Sequence, residues 1–175
     1  MVLQRCFATV ALIGFSPVMT VVAALILLED GRPLLYLQSR TGHHRTKFTV
    51  LKFRSMRNGS VTRAGRWLRA SGLDELPQLI NIIRGEMAVV GPRALTDEDV
   101  TRLGWDTRRF DRRWSIKPGL TGLAQVIGGR DARHSYLLDL LYIKRRTLWF
   151  DLKIIAISFL INLVGRGSAR RLLGM

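Results

Sequence analysis

Cysteine is nearly absent from this 175-residue chain: Cys6 stands alone, so no intrachain disulfide can form and a thiolate metal cluster is excluded. Acidic residues are also scarce, 13 Asp and Glu against 28 Lys and Arg, for a formal net charge of +15. A chain so short of negative charge points to an anionic partner: nucleic acid, an acidic membrane surface or a phosphorylated substrate. Aromatic residues make up only 8%, and few of them stand among the cations. A nucleic-acid platform needs that interleaving for base stacking, so it fits poorly. Internal repeats and low-complexity stretches are missing as well. At this length one ordinary hydrophobic core is expected.

What is present begins with an apolar segment. Of the cations only Arg5 precedes Arg32, and residues 7–28, FATVALIGFSPVMTVVAALILL, carry no charge. As one helix this run rises about 33 Å at about 1.5 Å per residue, enough to cross a bilayer. A cleaved signal peptide is disfavoured, because the run is long, its only leading cation is Arg5 and no small-x-small site follows before Glu29. Ser16-Pro17 lies near the middle. Proline there removes a backbone donor and crowds the preceding turn, so it can break the helix into halves too short to span. A broken helix would dip into one leaflet and return. Membrane helices also tolerate proline, so from this stretch alone both the spanning and the re-entrant form stand.

Beyond Gly31 and Pro33, LLYLQS (34–39) and KFTVLKFRS (47–55) flank the polar RTGHHRT and read as a β-hairpin. His43 and His44 fall on its loop. Lacking a third ligand, they read as a solvated pair rather than a metal site. TRAGRWLRAS spaces Arg63, Arg66 and Arg69 along one helical face, either solvated or a phosphate-binding ridge. LPQLINIIRG reads as a short amphipathic helix, with Leu76, Leu79, Ile80 and Ile83 on one stripe and Gly85 as its stop. MAVVGPR predicts a short strand running into a tight turn that presents Arg93. IKPGLTGLAQVIGGR (116–130) is rich in glycine, leaving room for backbone N–H groups to approach an anion. The apolar run 154–164 is too short to span and either lies on the membrane surface or packs in the core.

Against this basic background SGLDELPQLINIIRG sets two adjacent carboxylates, Asp74 and Glu75, at a helix start. With Asp74 as N-cap, Pro77 takes the third helical position, where no intrahelical N–H bond is lost; Ser71 as N-cap is the competing register. Capping contributes about 0.3–1 kcal/mol and needs only one carboxylate. The sharper reading uses the same field differently. A carboxylate at a helix N-terminus among arginines has its charged form stabilised, stays ionised and can attack phosphorus. The arginines then hold the phosphate oxygens as charge shifts. Adjacent carboxylates also suit Mg²⁺, which is usually held by one or two carboxylates plus phosphate oxygens.

KFRSM (52–56), TRAGRWLRASGLDELPQLINIIRGEMAVVGPR (62–93), KPGLTGLAQVIGGR (117–130), and finally DLLYI with LWFDLKI, follow one another in an order that resembles the bacterial sugar transferase family. These are monotopic phosphoglycosyl transferases, which move a phosphosugar from a nucleotide diphosphosugar to a polyprenyl phosphate. The resemblance covers nearly the whole chain. It implies an α+β, mostly helical fold, with a re-entrant membrane helix-break-helix over residues 1–30, broken at Ser16 and Pro17. A small basic catalytic domain over 31–175 would lie on the cytoplasmic face of the bacterial inner membrane, with surface-lying amphipathic helices.

For the site, the resemblance implies Asp74 as nucleophile, Glu75 as its dyad partner and Mg²⁺ bound at the pair. Arg69 and Arg93 match arginines that hold phosphate. Lys52, Arg54, Gln125, Arg130, Asp139 and Tyr142 match recurrent polar positions of the substrate-binding region. The implied partners are a nucleotide diphosphosugar, with UDP the first choice of nucleotide, undecaprenyl or another polyprenyl phosphate, and membrane lipid, but no nucleic acid. The product would open bacterial glycoconjugate or exopolysaccharide synthesis. The chain departs from the family pattern at Gly72, where Ser is usual, at Ala94, where Pro is usual, and at Ala8, where Asp is usual. Its RNGSV linker (57–61) is also short. The rival expectations are a catalytically impaired member and a membrane-anchored basic module without chemistry.

Overall fold

The computed structural model describes residues 2–129 and 131–164, so Arg130 and the expectation attached to it lie outside the described residues. The described chain is mostly helical, with three two-stranded sheets. It divides into two compact units. One holds the residues up to Gln38 with Thr49–Gly85; the other holds Ser39–Phe48 and the residues from Glu86 onward.

In the first unit, helix α1 (Val2–Asp30) runs unbroken through Pro17, where a break was expected. The reason lies next door. Proline leaves the carbonyl four residues back without its helical donor, and the Ser16 hydroxyl donates to that Ile13 carbonyl at 2.7 Å. By length and composition α1 could cross a membrane. Its Val22 and Ile26 are buried against Phe53 and Leu68 of the same unit.

The end of α1 is tied by charge. Glu29 accepts from the backbone N–H groups of Arg63 and Ala64, each at 2.8 Å. These are the first residues of α2 (Arg63–Ser71), whose N-cap Thr62 also accepts from Gly65 N–H. Strands β1 (Leu35–Thr41) and β2 (Lys47–Phe53) form the expected hairpin and divide their residues between the units. The short linker is itself a hairpin of β3 (Met56–Arg57) and β4 (Ser60–Val61). Asn58 and Gly59 turn it with φ of 49° and 80°, as a two-residue hairpin loop requires.

After α2, Gly72 adopts φ 74° as a left-handed C-cap, which glycine reaches without the Cβ penalty. A single 3-10 turn, Leu73–Glu75, then precedes α3 (Gln78–Arg84), which stops at Gly85 as expected. Asp74 and Glu75 therefore sit one turn before α3 and do not cap it; Pro77 holds the N-cap position. The buried face of α3 is also rotated from the expected stripe, to Gln78, Leu79, Asn81 and Ile82.

The second unit contains β5 (Ala88–Val90), α4 (Asp97–Arg102), a 3-10 segment over Arg108–Ser115, β6 (Gly119–Thr121), α5 (Leu123–Ile127), α6 (Ala132–Arg145) and α7 (Leu148–Val164). The glycine-rich segment, read as an anion loop, supplies β6, which pairs parallel to β5 with Ala88 opposite Gly119 and Val90 opposite Thr121. One core gathers Val90, Leu123, Val126, Leu138, Tyr142 and Ile154. Another gathers Leu95, Val100, Trp105 and Trp114. Ile154, with Ile155, Ile157 and Ile161, packs α7 against the first core. Leu148, Trp149, Leu152 and Phe159 remain exposed on it.

The β5–β6 pair requires glycine where the strands meet. A Cβ on Gly119 would run into the main chain of Gly91, Val90 and Thr121. Gly119→Ala should therefore destabilise the fold by about 1–3 kcal/mol, lowering Tm by several degrees in thermal unfolding followed by circular dichroism. An unchanged Tm would show that the two strands can part without cost.

Candidate active site

Four charged residues of the first unit act on one another. Asp74 and Glu75 lie in the 3-10 turn, and Lys52 of β2 reaches Glu75 Oε1 with its Nζ at 2.5 Å. Arg69, exposed in the last turn of α2, acts on Asp74 through its charge. The link between β2 and the turn is Asn81. Fully buried on α3, it accepts from Leu51 N–H at 3.1 Å and donates to the Thr49 carbonyl at 2.7 Å. Both ends of one amide thus hold α3 to the strand that carries Lys52. A polar residue inside LINII was the sequence signal for this, and the stripe reading passed over it.

Burial first, and then the neighbouring Glu75 charge, push Asp74 up to about 6; Lys52 and Arg69 pull it the other way. This corrects the expectation of a carboxylate held firmly ionised by helix and arginines. The turn has no helix N-terminus behind it, and removal from water outweighs the cations. Asp74 still carries its charge at neutral pH and takes up a proton about one unit below. The donor set fits Mg²⁺: two adjacent carboxylates that repel each other, with phosphate oxygens and water to complete an oxygen shell. Among the described residues no group of three His, Cys, Asp or Glu side chains could hold a metal, at His43-His44 or elsewhere.

Arg54 is engaged elsewhere. Its Nη2 donates to the carbonyls of Asp30 (2.7 Å) and Gly31 (2.9 Å), and Nη1 to that of Arg32 (3.0 Å). It also pairs with the Asp30 carboxylate at 3.0 Å. The guanidinium closes the C-terminal end of α1. Arg63 and Arg66 are exposed on α2.

The remaining expected residues belong to the second unit. The Arg93 side chain is exposed just beyond β5. Asp139 and Tyr142, by contrast, are buried and hold the turn that carries it. The Tyr142 hydroxyl bridges the Val90 carbonyl (3.1 Å) and Asp151 (2.8 Å), and burial and Asp151 push its pKa up. Asp139 pairs with Arg113 Nε at 2.7 Å, and Arg113 Nη2 donates to the Arg93 carbonyl at 2.6 Å. Burial drives Asp139 up and Arg113 down, each opposed by the other. Gln125, half-buried on α5, donates to the Leu120 carbonyl at 3.4 Å. Arg113 escaped the sequence reading because nothing in RRFDRRW separates it from Arg112 beside it.

The profile of bacterial sugar transferases matches residues 1–165. The chain belongs to the bacterial sugar transferase family. A relative in Komagataeibacter xylinus, named undecaprenyl-phosphate glucose phosphotransferase, is 35% identical over 90% of this chain and 34% of its own length. One in Aeromonas hydrophila, named for UDP-N-acetylgalactosamine as donor, is 34% identical over 92% of this chain and 43% of its own length. The chain thus spans less than half the length of these relatives. It matches 90% of a shorter one in Bacillus subtilis, named uncharacterized sugar transferase EpsL, at 34% identity. Within this bacterial sugar transferase, Gly72 suits the left-handed cap, and the Ala94 carbonyl is held by Arg40 at 3.2 Å, so neither departure loosens its segment.

The raised Asp74 pKa sets a sign for stability. The folded protein holds that proton more tightly than the unfolded chain. The resulting stabilisation is complete below about pH 4 and is lost as pH rises through about 6. Asp74→Asn should therefore stabilise the fold at pH 8 by about 1 kcal/mol after solvent screening, read as a higher Tm, with the gain disappearing by pH 4. A variant no more stable than wild type at pH 8 would show that Asp74 is not desolvated.

Proposed function

We propose that this chain transfers a phosphosugar from a UDP-sugar to polyprenyl phosphate at the Asp74–Glu75 pair, opening exopolysaccharide or glycoconjugate synthesis. The observation that carries the reading is the acidic pair itself: two carboxylates in a +15 chain, one of them partly desolvated beside Lys52 and Arg69. Relatives named for UDP-sugars and undecaprenyl phosphate supply the substrate classes. A carboxylate whose pKa lies near 6 is ionised at working pH yet less solvated than a surface group, which favours attack.

In the first step a carboxylate oxygen of Asp74 attacks the sugar-bearing phosphorus. The bond from that phosphorus to the bridging oxygen breaks, and UMP leaves. In the second step a phosphate oxygen of the polyprenyl phosphate attacks the same phosphorus. The bond to Asp74 breaks, the carboxylate is restored, and a polyprenyl diphosphosugar is released. Lys52 and Arg69 offset the charge that gathers as polyanions meet the carboxylates. Taken by itself, the exposed Arg93 guanidinium is a planar fork of the kind that binds phosphate oxygens. Mg²⁺ held by Asp74 and Glu75 would neutralise donor phosphate charge.

Purified protein with a panel of UDP-sugars, undecaprenyl phosphate and Mg²⁺ should release UMP, and chelator should stop it. Asp74→Asn should reduce release to background, because an amide is a poor nucleophile. Intact-mass analysis of wild type with donor alone should show a phosphosugar adduct that maps to Asp74. Substantial UMP release by the Asn variant would falsify the assignment.

The same reading places the protein on the cytoplasmic face as a monotopic enzyme. Two contacts of α1 support it. Near one end Ala8 is fully buried and the Arg5 guanidinium lies 3.5 Å from the Arg84 carbonyl; near the other, Val22 and Ile26 are buried. All belong to the first unit. A spanning helix would set residues 5 and 26 about 30 Å apart across hydrocarbon, out of reach of one unit on one side. Cys6 is exposed and reports the outcome. An impermeant maleimide should label it in inside-out vesicles and not in intact spheroplasts, with a cysteine added before Val2 as control. Labelling only in spheroplasts rejects the monotopic topology.

A further inference from the structure

We infer that Arg113 is a positioning residue for Arg93: clamped between two tryptophans and a buried carboxylate, it holds the main chain that aims the Arg93 guanidinium at phosphate. The inference rests on the reading of Arg93 as a phosphate-holding group.

From residue 90 to residue 95 the main chain is held at every position. The Val90 carbonyl accepts from Tyr142, and Gly91 N–H donates to the Thr121 carbonyl at 2.9 Å. The Pro92 carbonyl accepts from Gly119 N–H at 2.9 Å, and that of Arg93 from Arg113 at 2.6 Å. The Ala94 carbonyl accepts from Arg40 at 3.2 Å, and that of Leu95 from Thr41 N–H at 2.8 Å. The Arg93 side chain alone stays in solvent. A long, flexible cation on a main chain fixed this closely has less freedom to lose when it meets an anion.

Most of these donors are backbone groups or groups that also serve the core. Arg113 is different. Its side chain is only 2% exposed, its guanidinium carbon lies 4.8 Å from the Trp105 ring and 4.6 Å from the Trp114 ring, and its Nε is bound to Asp139. Burying such a pair adds little to stability, since apolar residues of similar volume serve a core as well or better. What the pair does provide is direction. Two ring faces and one carboxylate fix the plane of the guanidinium, and the rigid fork then presents Nη2 to a single carbonyl. A lysine has no such plane.

The test uses the full chain in nanodiscs and two replacements: Arg113→Lys, and the paired Arg113→Met with Asp139→Leu, which removes the donor without leaving a buried charge. Hydrogen exchange should speed up at least tenfold at the N–H groups that tie this segment, those of Gly91, Gly119 and Thr41, while α7 is unchanged. With a UDP-sugar donor and UMP release as readout, each replacement should lower kcat/KM about ten- to hundredfold. In an Arg93→Ala background the same replacements should cost less than twofold, because Arg113 acts only through Arg93. Equal losses in both backgrounds, or unchanged exchange at Gly91, Gly119 and Thr41, overturn the inference. So does unfolding of the paired variant, which would make the pair a folding requirement. If wild type turns over no donor, the proposed function fails while the exchange measurement still decides the role of Arg113.

Discussion

Main-chain carbonyls without a ladder partner are the constraint this protein is built around. Short helices and two-stranded sheets leave many carbonyls at element ends and in turns, where each needs a donor. Arginine supplies them. Arg54 closes α1 through the carbonyls of residues 30, 31 and 32. Arg45 reaches those of Trp105 and Thr107, at 3.2 and 3.0 Å, and Arg113 and Arg40 hold the turn after β5. Five donors in a fixed fork let one side chain serve several carbonyls, which a lysine does less well. Part of the +15 charge is therefore architecture.

The acidic pair is the counterpart of that frame. Asp74 sits where burial and a neighbouring carboxylate raise its pKa while Lys52 and Arg69 lower it, and the balance falls near neutrality. Such a balance depends on position more than on composition. Moving the turn out into water would return Asp74 to an ordinary carboxylate, and without Lys52 Asp74 would be harder to keep ionised. Asn81 sets the position by joining α3 to β2 through both ends of its side chain.

The N-terminal apolar helix follows the same logic of satisfied carbonyls. Ser16 precedes Pro17 and donates to the carbonyl that the proline strands, so α1 continues where proline by itself would favour a break. The helix bears on its unit near both ends, and its acidic last turn, unfavourable at the negative end of a helix, is held by Arg54, Arg57 and the first N–H groups of α2.

Much of this was legible in the chain. The apolar run, the hairpin before KFRSM, the Gly85 stop, the strand ahead of GPR and the family itself all follow from local pattern, because each depends on neighbours in sequence. Other features were not legible there. The strand inside the glycine-rich segment, the α1 cap made by Arg54 and the pairing of Asp139 with Arg113 all join residues far apart in the chain. Sequence determined which residues carry charge and which segments fold. Only the tertiary structure decided which arginines bind carbonyls and which face solvent, because a guanidinium is committed by the donors and acceptors around it, and those are assembled by folding.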